Sequence, residues 1–325
     1  MTRVLPSLFL LLSLLVATSV RAELRPLDSI VAVVNDDVIL DSELTEATRL
    51  ARLSLQQRGI PEPPKQVLQQ QVLESLITKH LQRALAEQMN LSVDDRRLRQ
   101  VMQSIAQNRG LGDVRALKRS IEAQGEDYND FREQIREEVM ISDLLQRTVR
   151  PQVNVSEQEV DNFLASQQAQ GELNIEYRLS HILIQTPQAA SSDQIATARD
   201  KAQKLLSSLR GGADFAKAAV ENSSGRNALQ GGDLGWVKAA QLPTLFIDAV
   251  PKLERGEISD LLRSSSGFHI IKLVDVRNSD RQAFSTDMSQ MRQQAMQAIQ
   301  ERKFNEQLEE WLRELRNQAY VEIRL

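Results

Sequence analysis

Apolar positions along this chain alternate between two periods, and each change of period marks an element. Ile30-Val31-Ala32-Val33-Val34 is a β-rich run, Asn35-Asp36-Asp37 is a turn signal, and Val38-Ile39-Leu40 continues as a second short strand. Asp41 reads as the cap of a helix to about Gln57, which Gly59 and Pro61 stop. From Lys65 to Met89, residues Val67, Val72, Leu73, Leu76, Ile77 and Leu81 fall on helical spacing. Ser92-x-x-Asp95 opens a third helix that ends at Gly110, and Asp113 and Asp127 start two more. The last of these runs to Arg150 and meets Pro151, which cannot continue a helix without a clash. The capping box Ser156-x-x-Glu159 starts a short helix to about Ser166, and the polar stretch 167–172 reads as a linker.

Beyond Gly171 the pattern changes. Ile175 to Ile184 alternates as a strand. A helix from Ser192 to Leu209 follows, stopped by Gly211-Gly212, and Asp214 caps another to about Glu221. A glycine-rich turn at 231–235, a short helix near Leu245 to Val250 and a strand from Phe268 to Val274 complete this block. A long amphipathic helix spans about Asp287 to Gln318, and Tyr320 to Leu325 alternates as a last strand. An isolated strand needs a partner, and Val321, Ile323 and Leu325 suit the Ile30–Val34 run.

Composition narrows the function classes. The apolar run Leu5 to Val20, with Arg3 before it and Val20-Arg21-Ala22 after it, reads as a signal peptide over 1–22. The run is short for a bilayer span and is broken by Pro6 and by Thr18-Ser19, which disfavours an uncleaved anchor. Removing Arg3 and Arg21 leaves 38 basic residues against 44 acidic ones, a net charge of −6. That balance argues against nucleic acid and against a polybasic membrane role. The chain has no cysteine, which excludes zinc–thiolate sites, cysteine nucleophiles and lipid attachment through a thioether.

Candidate chemistry concentrates in the second block. The chain has three histidines, and two of them, His181 and His269, sit in apolar strand-like runs at opposite ends of it. Two strands that each carry an inward histidine suggest a paired-imidazole floor in one small domain. The alternative is a pair of structural core histidines. Gly231-Gly232-Asp233-Leu234-Gly235 lacks the Lys-Ser/Thr and the strand-to-helix setting of a phosphate loop. His80, in a polar stretch of its helix, reads as a surface residue.

Ser180-His181-Ile182-Leu183-Ile184, Gly231-Gly232-Asp233-Leu234-Gly235-Trp236 and Gly267-Phe268-His269-Ile270-Ile271, in this order, resemble the parvulin family of peptidyl-prolyl isomerases. The flanks resemble SurA-type periplasmic chaperones through Val31-Ala32-Val33-Val34-Asn35-Asp36, Asp127-Tyr128-x-x-Phe131-Arg132-x-x-Ile135-Arg136-x-Glu138 and Ile141-Ser142. The resemblance implies an α+β chain. Its helical chaperone domain, 23–171, is completed by the helix and strand of 277–325. A parvulin domain over 172–276, a small antiparallel sheet with helices in the order βααβαβ, is inserted between them.

The resemblance also implies roles. His181 and His269 match the paired histidines beneath the active site, and Ser266 matches a hydroxyl near the second. Leu234, Leu242 and Phe246 match the proline pocket. No cofactor is implied. Active parvulins carry a Cys or Asp where this chain has Gly225, or Ser224 if the loop slips by one, and the loop 222–227 holds no acid. Weak or absent turnover is the expectation. The implied partners are unfolded outer-membrane proteins and proline-containing peptides in the periplasm, with the outer-membrane assembly machinery as a further candidate. Neither nucleic acid nor stable membrane insertion after signal cleavage is expected. A fully active isomerase whose helical arms recruit substrate, and a membrane-anchored foldase, stand as alternatives.

Overall fold

The computed structural model describes residues 28–170, 175–278 and 288–325. The signal segment expected over 1–22 lies outside them. Strands β1 (Ile30–Val34) and β2 (Asp37–Leu40) form an antiparallel hairpin around Asn35, whose φ of 52° makes the tight turn. Helices α1 (Asp41–Gln57), α2 (Lys65–Gln88), α3 (Asp95–Asn108), α4 (Val114–Ala123), α5 (Tyr128–Thr148) and α6 (Glu157–Gln170) follow. Near the other end, α9 (Met288–Gln318) leads into β7 (Val321–Ile323), which pairs antiparallel with β1 and gives the sheet order β2-β1-β7. The register sets Ala32 against Ile323 and Val34 against Val321. Asn35 fixes it twice: its backbone N–H donates to the Tyr320 carbonyl at 2.8 Å, and its side-chain oxygen accepts from the Tyr320 N–H at 2.9 Å.

The cap residues differ in part from the sequence reading. Asp127 caps α5 and Asp113 caps α4 as expected. Asp41 instead lies inside the first turn of α1, and Asp28 accepts the Ser42 N–H. Asp94, not Ser92, caps α3 by accepting from the Arg97 N–H. The Ser156–Glu159 box is formed in both directions, but α6 runs on to Gln170. Nothing between Ser166 and Gly171 breaks a helix, and Gln and Ala favour one.

His80 is also not where the sequence puts it. It is only 4% exposed. Its Nδ1 lies 2.8 Å from Asp37 and its Nε2 lies 2.9 Å from Glu43, so one ring joins β2, α1 and α2. Arg83 shares Asp37 at 2.5 Å. Burial alone would raise the Asp37 pKa. Its hydrogen bonds from the Val38 N–H, His80 and Arg83 outweigh that and hold it below the ordinary carboxylate value.

The second unit is a four-stranded antiparallel sheet of order β4-β3-β6-β5, built from β3 (Ile175–Gln185), β4 (Asp233–Lys238), β5 (Leu262–Arg263) and β6 (Gly267–Asn278). Helices α7 (Ser192–Arg210) and α8 (Phe215–Asn222) cover one face through Ile182, Ile184, Phe268 and Ile270. The other face, with Leu179, Ile271 and Leu273, packs on the segment 239–253. That segment is a string of 3-10 turns, not the expected helix near 245–250, and β4 begins directly at the glycine turn. Pro243 and Pro251 lie within it, and proline interrupts a continuous helix. The whole is an α+β chain with most residues helical. No helix among the described residues is long and apolar enough to cross a membrane.

Candidate functional site

Strand parity brings the two histidines together. Side chains on a strand alternate between faces, so odd-numbered positions of β3 and β6 near the centre share the face opposite α7 and α8. Pairing sets His181 against Ile271 and Leu183 against His269. The histidines are therefore diagonal neighbours across the ladder, close enough for large side chains to meet. Their rings stack at 5.1 Å with 12° between planes, and His181 Nε2 lies 2.9 Å from His269 Nδ1.

The line of polar atoms continues beyond the pair. His269 Nε2 lies 2.7 Å from Ser264 Oγ, which lies 2.7 Å from Ser266 Oγ. Ser266 itself is 3.5 Å from His269. The hydroxyl in direct contact is thus Ser264, and Ser266 stands one step further along. Every hydrogen bond in this line can point either way. In one direction His181 Nδ1 carries a proton, and in the other it is a bare acceptor.

Burial is the largest influence on both rings and pushes their pKa values well below the ordinary imidazole value, with repulsion from His269 adding to the effect on His181. Both are neutral near pH 7. Phe246 closes the apolar side, with its ring centroid 5.5 Å from His181 and 5.9 Å from His269. Leu242 is buried and Leu234 half-buried in the same cluster, with Ala239 and Val250. The structure thus gathers five of the six expected side chains around the imidazoles or the adjoining apolar cluster, with Ser266 at the edge.

Glycines hold the neighbouring backbone. A Cβ on Gly232, whose φ is +75°, would stand 2.4 Å from the His181 carbonyl oxygen. The Gly232 carbonyl in turn accepts the His181 N–H at 2.9 Å. Only glycine allows that approach. A Cβ on Gly225 would lie 3.8 Å from His181 Nδ1, so the residue that lacks a side chain faces the ring atom that lacks a partner within the polar line. Ser223 Oγ accepts from the Leu183 and Gly225 N–H groups at 3.1 Å each and pins this loop to β3.

Comparison with known proteins agrees with this arrangement. Residues 27–145 match the family described as the SurA N-terminal domain, and residues 181–275 match the PPIC-type PPIASE domain. The chain is SurA-like, with a parvulin-type domain. It is 47% identical to a chaperone SurA of Nitrosococcus oceani over 80% of this chain and 61% of that protein. It is 42% identical to a chaperone SurA of Pseudomonas aeruginosa over 82% of this chain and 64% of that protein. The SurA-like chain therefore spans about three-fifths of the length of these relatives. Among solved structures, the parvulin domain of PpiD from E. coli is 32% identical, covering 34% of this chain and 96% of that one, with a TM-score of 0.28.

Two features of the site were not visible in sequence. Ser264 is one of three consecutive serines, and only the turn from β5 into β6 decides which one meets the ring. The other is α9, whose acids reach the rim of the site: Glu306 accepts the Thr244 N–H at 2.7 Å and Glu301 accepts from the Gln241 amide at 2.5 Å.

Proposed function

We propose that this protein is a periplasmic folding factor that holds unfolded outer-membrane proteins and binds X-Pro segments at its parvulin-type site, with low isomerase turnover. The observation that carries this reading is the neutral, stacked His181–His269 pair beside Phe246, in a chain that also has a SurA N-terminal domain. The apolar run Leu5–Val20 supports export across the inner membrane.

Rotation about an X-Pro bond breaks amide resonance, a barrier of about 18–20 kcal/mol for peptide bonds in general. No bond to the protein is needed. A site accelerates the reaction by binding the twisted amide better than either planar form. Leu234, Leu242 and Phe246 are the groups suited to the proline ring. The His181–His269–Ser264 line gives a polar floor whose heavy atoms are held by burial and stacking. Gly225 leaves this floor without the negative group that would hold the ring protons in one direction and repel the carbonyl oxygen.

Two measurements on the full chain test the proposal. Isomer exchange of an X-Pro peptide, followed by NMR, should be slow but detectable and should vanish in His269→Ala. An unfolded β-barrel protein should aggregate less in its presence, and to the same degree with His269→Ala. If the chain leaves aggregation unchanged, the holdase reading fails. A second reading, a fully active isomerase that only recruits substrate through its helices, is favoured by the completeness of the polar line, and rapid exchange in the first assay would establish it.

A further inference from the structure

The small sheet of the helical domain has two margins, and they are finished differently. At β2, the Val38 N–H donates to the Asp37 carboxylate at 2.8 Å, and His80 and Arg83 hold that carboxylate in place. The margin at β7 is open. The Tyr320 carbonyl accepts from the Asn35 N–H, and the Arg324 N–H donates to the Val31 carbonyl, each at 2.8 Å. The even-numbered residues of β7 therefore turn their backbone groups toward β1, and Val321 and Ile323 turn theirs outward. β7 is the last strand of the order β2-β1-β7, and among the described residues these outward groups meet no partner. An edge of this kind is a template for another strand.

The side chains decide which strand fits. On one face, Glu322 accepts from the Tyr320 hydroxyl at 3.0 Å and from Arg324 at 3.0 and 3.2 Å. On the other, Val321 packs against the helical core. Beyond it Ile323 is 42% exposed and Leu325 63%, and Ile30 of the neighbouring β1 is exposed as well. Turned about a two-fold axis at Ile323, the stretch Val321 to Leu325 is its own complement. Ile323 meets the partner's Ile323, Val321 meets the partner's Leu325, and Glu322 stands opposite the partner's Arg324. The axis falls on a residue whose backbone faces outward, as an antiparallel hydrogen-bonded pair requires. Charges of one sign along an edge repel a second strand, whereas this row sets opposite charges against each other twice.

We propose that β7 is a homodimerisation edge, and that two copies of this chain pair antiparallel through Val321, Ile323 and Leu325 with Glu322 and Arg324 fixing the register. The contact is isologous, and with three strands from each copy it makes one continuous sheet of order β2-β1-β7-β7-β1-β2. A short edge makes a weak dimer that forms as concentration rises. The pairing is independent of the prolyl reading of the imidazole site.

Sedimentation velocity of the full chain over a concentration series tests it. Wild type should shift from monomer to dimer. Ile323→Pro removes only an outward N–H, so the β1–β7 bonds stay while the two central bonds between copies are lost. It should weaken the dimer at least about tenfold with an unchanged monomer melt. Glu322→Arg and Arg324→Glu each set like charges opposite one another and should weaken it several-fold. Mixing these two variants in equal amounts restores opposite charges at both pairs and should recover wild-type association. Should Ile323→Pro disturb the melt, the charge variants, on an exposed face, carry the test alone. A concentration-independent monomer overturns the proposal, and so does a dimer that none of these substitutions weakens. Failure of the mixture to recover association overturns the register. If wild type stays monomeric and the Ile323 amide gains exchange protection only when an unfolded β-barrel protein is added, the edge receives clients and self-pairing falls.

Discussion

At the scale of single residues, the buried imidazoles make stability depend on acid. Burial lowers the pKa of His269 from 6.5 to about 4, and that of His181 to about 3 with repulsion from His269 adding to it. A lowered histidine pKa favours the neutral ring in the folded state. The contribution is complete above pH 6.5 and is lost as pH falls through about 4, because the unfolded chain takes up protons first. Each unit of separation is worth about 1.4 kcal/mol per ring. The midpoint of thermal unfolding of the parvulin unit should therefore drop steeply between pH 6.5 and 4, and His269→Gln should flatten the slope. An unchanged slope would show that carboxylates carry the effect. Gly225 offers a second test. Gly225→Asp places an acceptor beside His181 Nδ1 and fixes the proton line in one direction, so isomer exchange should rise by about tenfold, less than the roughly 10²–10⁴-fold of a group that itself transfers a proton. Gly225→Asn, with no charge, should do less. Gly232→Ala should abolish the native signal of both imidazoles in NMR, since its methyl and the His181 carbonyl cannot share that space.

At the scale of elements, two side chains hold helices together by different means. His80 bridges Asp37 and Glu43, each of them partly exposed. Breaking a fully buried pair costs about 3–5 kcal/mol, and solvent at the carboxylates reduces this, so His80→Ala should cost about 1–3 kcal/mol in urea unfolding. Trp311 joins α9 to α2 and α5, and Trp311→Ala should cost about 3–5 kcal/mol and increase hydrogen exchange along α9. Most of these elements were legible in the sequence because periodicity and capping are local. The βααβ start of the inserted unit, the helix stops at Gly59, Gly110 and Pro151, and the inward histidines all follow from neighbours within a few residues. The failures have a common cause. His80 looks polar in its own helix, but its partners come from two other elements. Ser264 cannot be told from Ser266 without the turn that orients them. The 239–253 segment reads as helical by its apolar residues, yet its two prolines, eight residues apart, leave room only for single turns.

At the scale of the molecule, α9 is shared by clusters that belong to both halves. It meets α6 through Ala295 and Ile299, the helical core through Leu308 and Trp311, and the rim of the candidate site through its acids. Loss of β7, by deletion of 320–325, should weaken the helical half and leave the imidazole pair stacked. Circular dichroism melting together with imidazole NMR would separate these two effects. The β1–β7 ladder carries one more implication, for assembly in time. Ala32 meets Ile323 across nearly the full length of the polypeptide. During synthesis the early hairpin must wait, with one backbone margin unsatisfied, while the inserted unit emerges and folds on contacts made within itself. The order of folding is then inverted relative to the order of translation: the middle matures first, and the beginning is finished by the end.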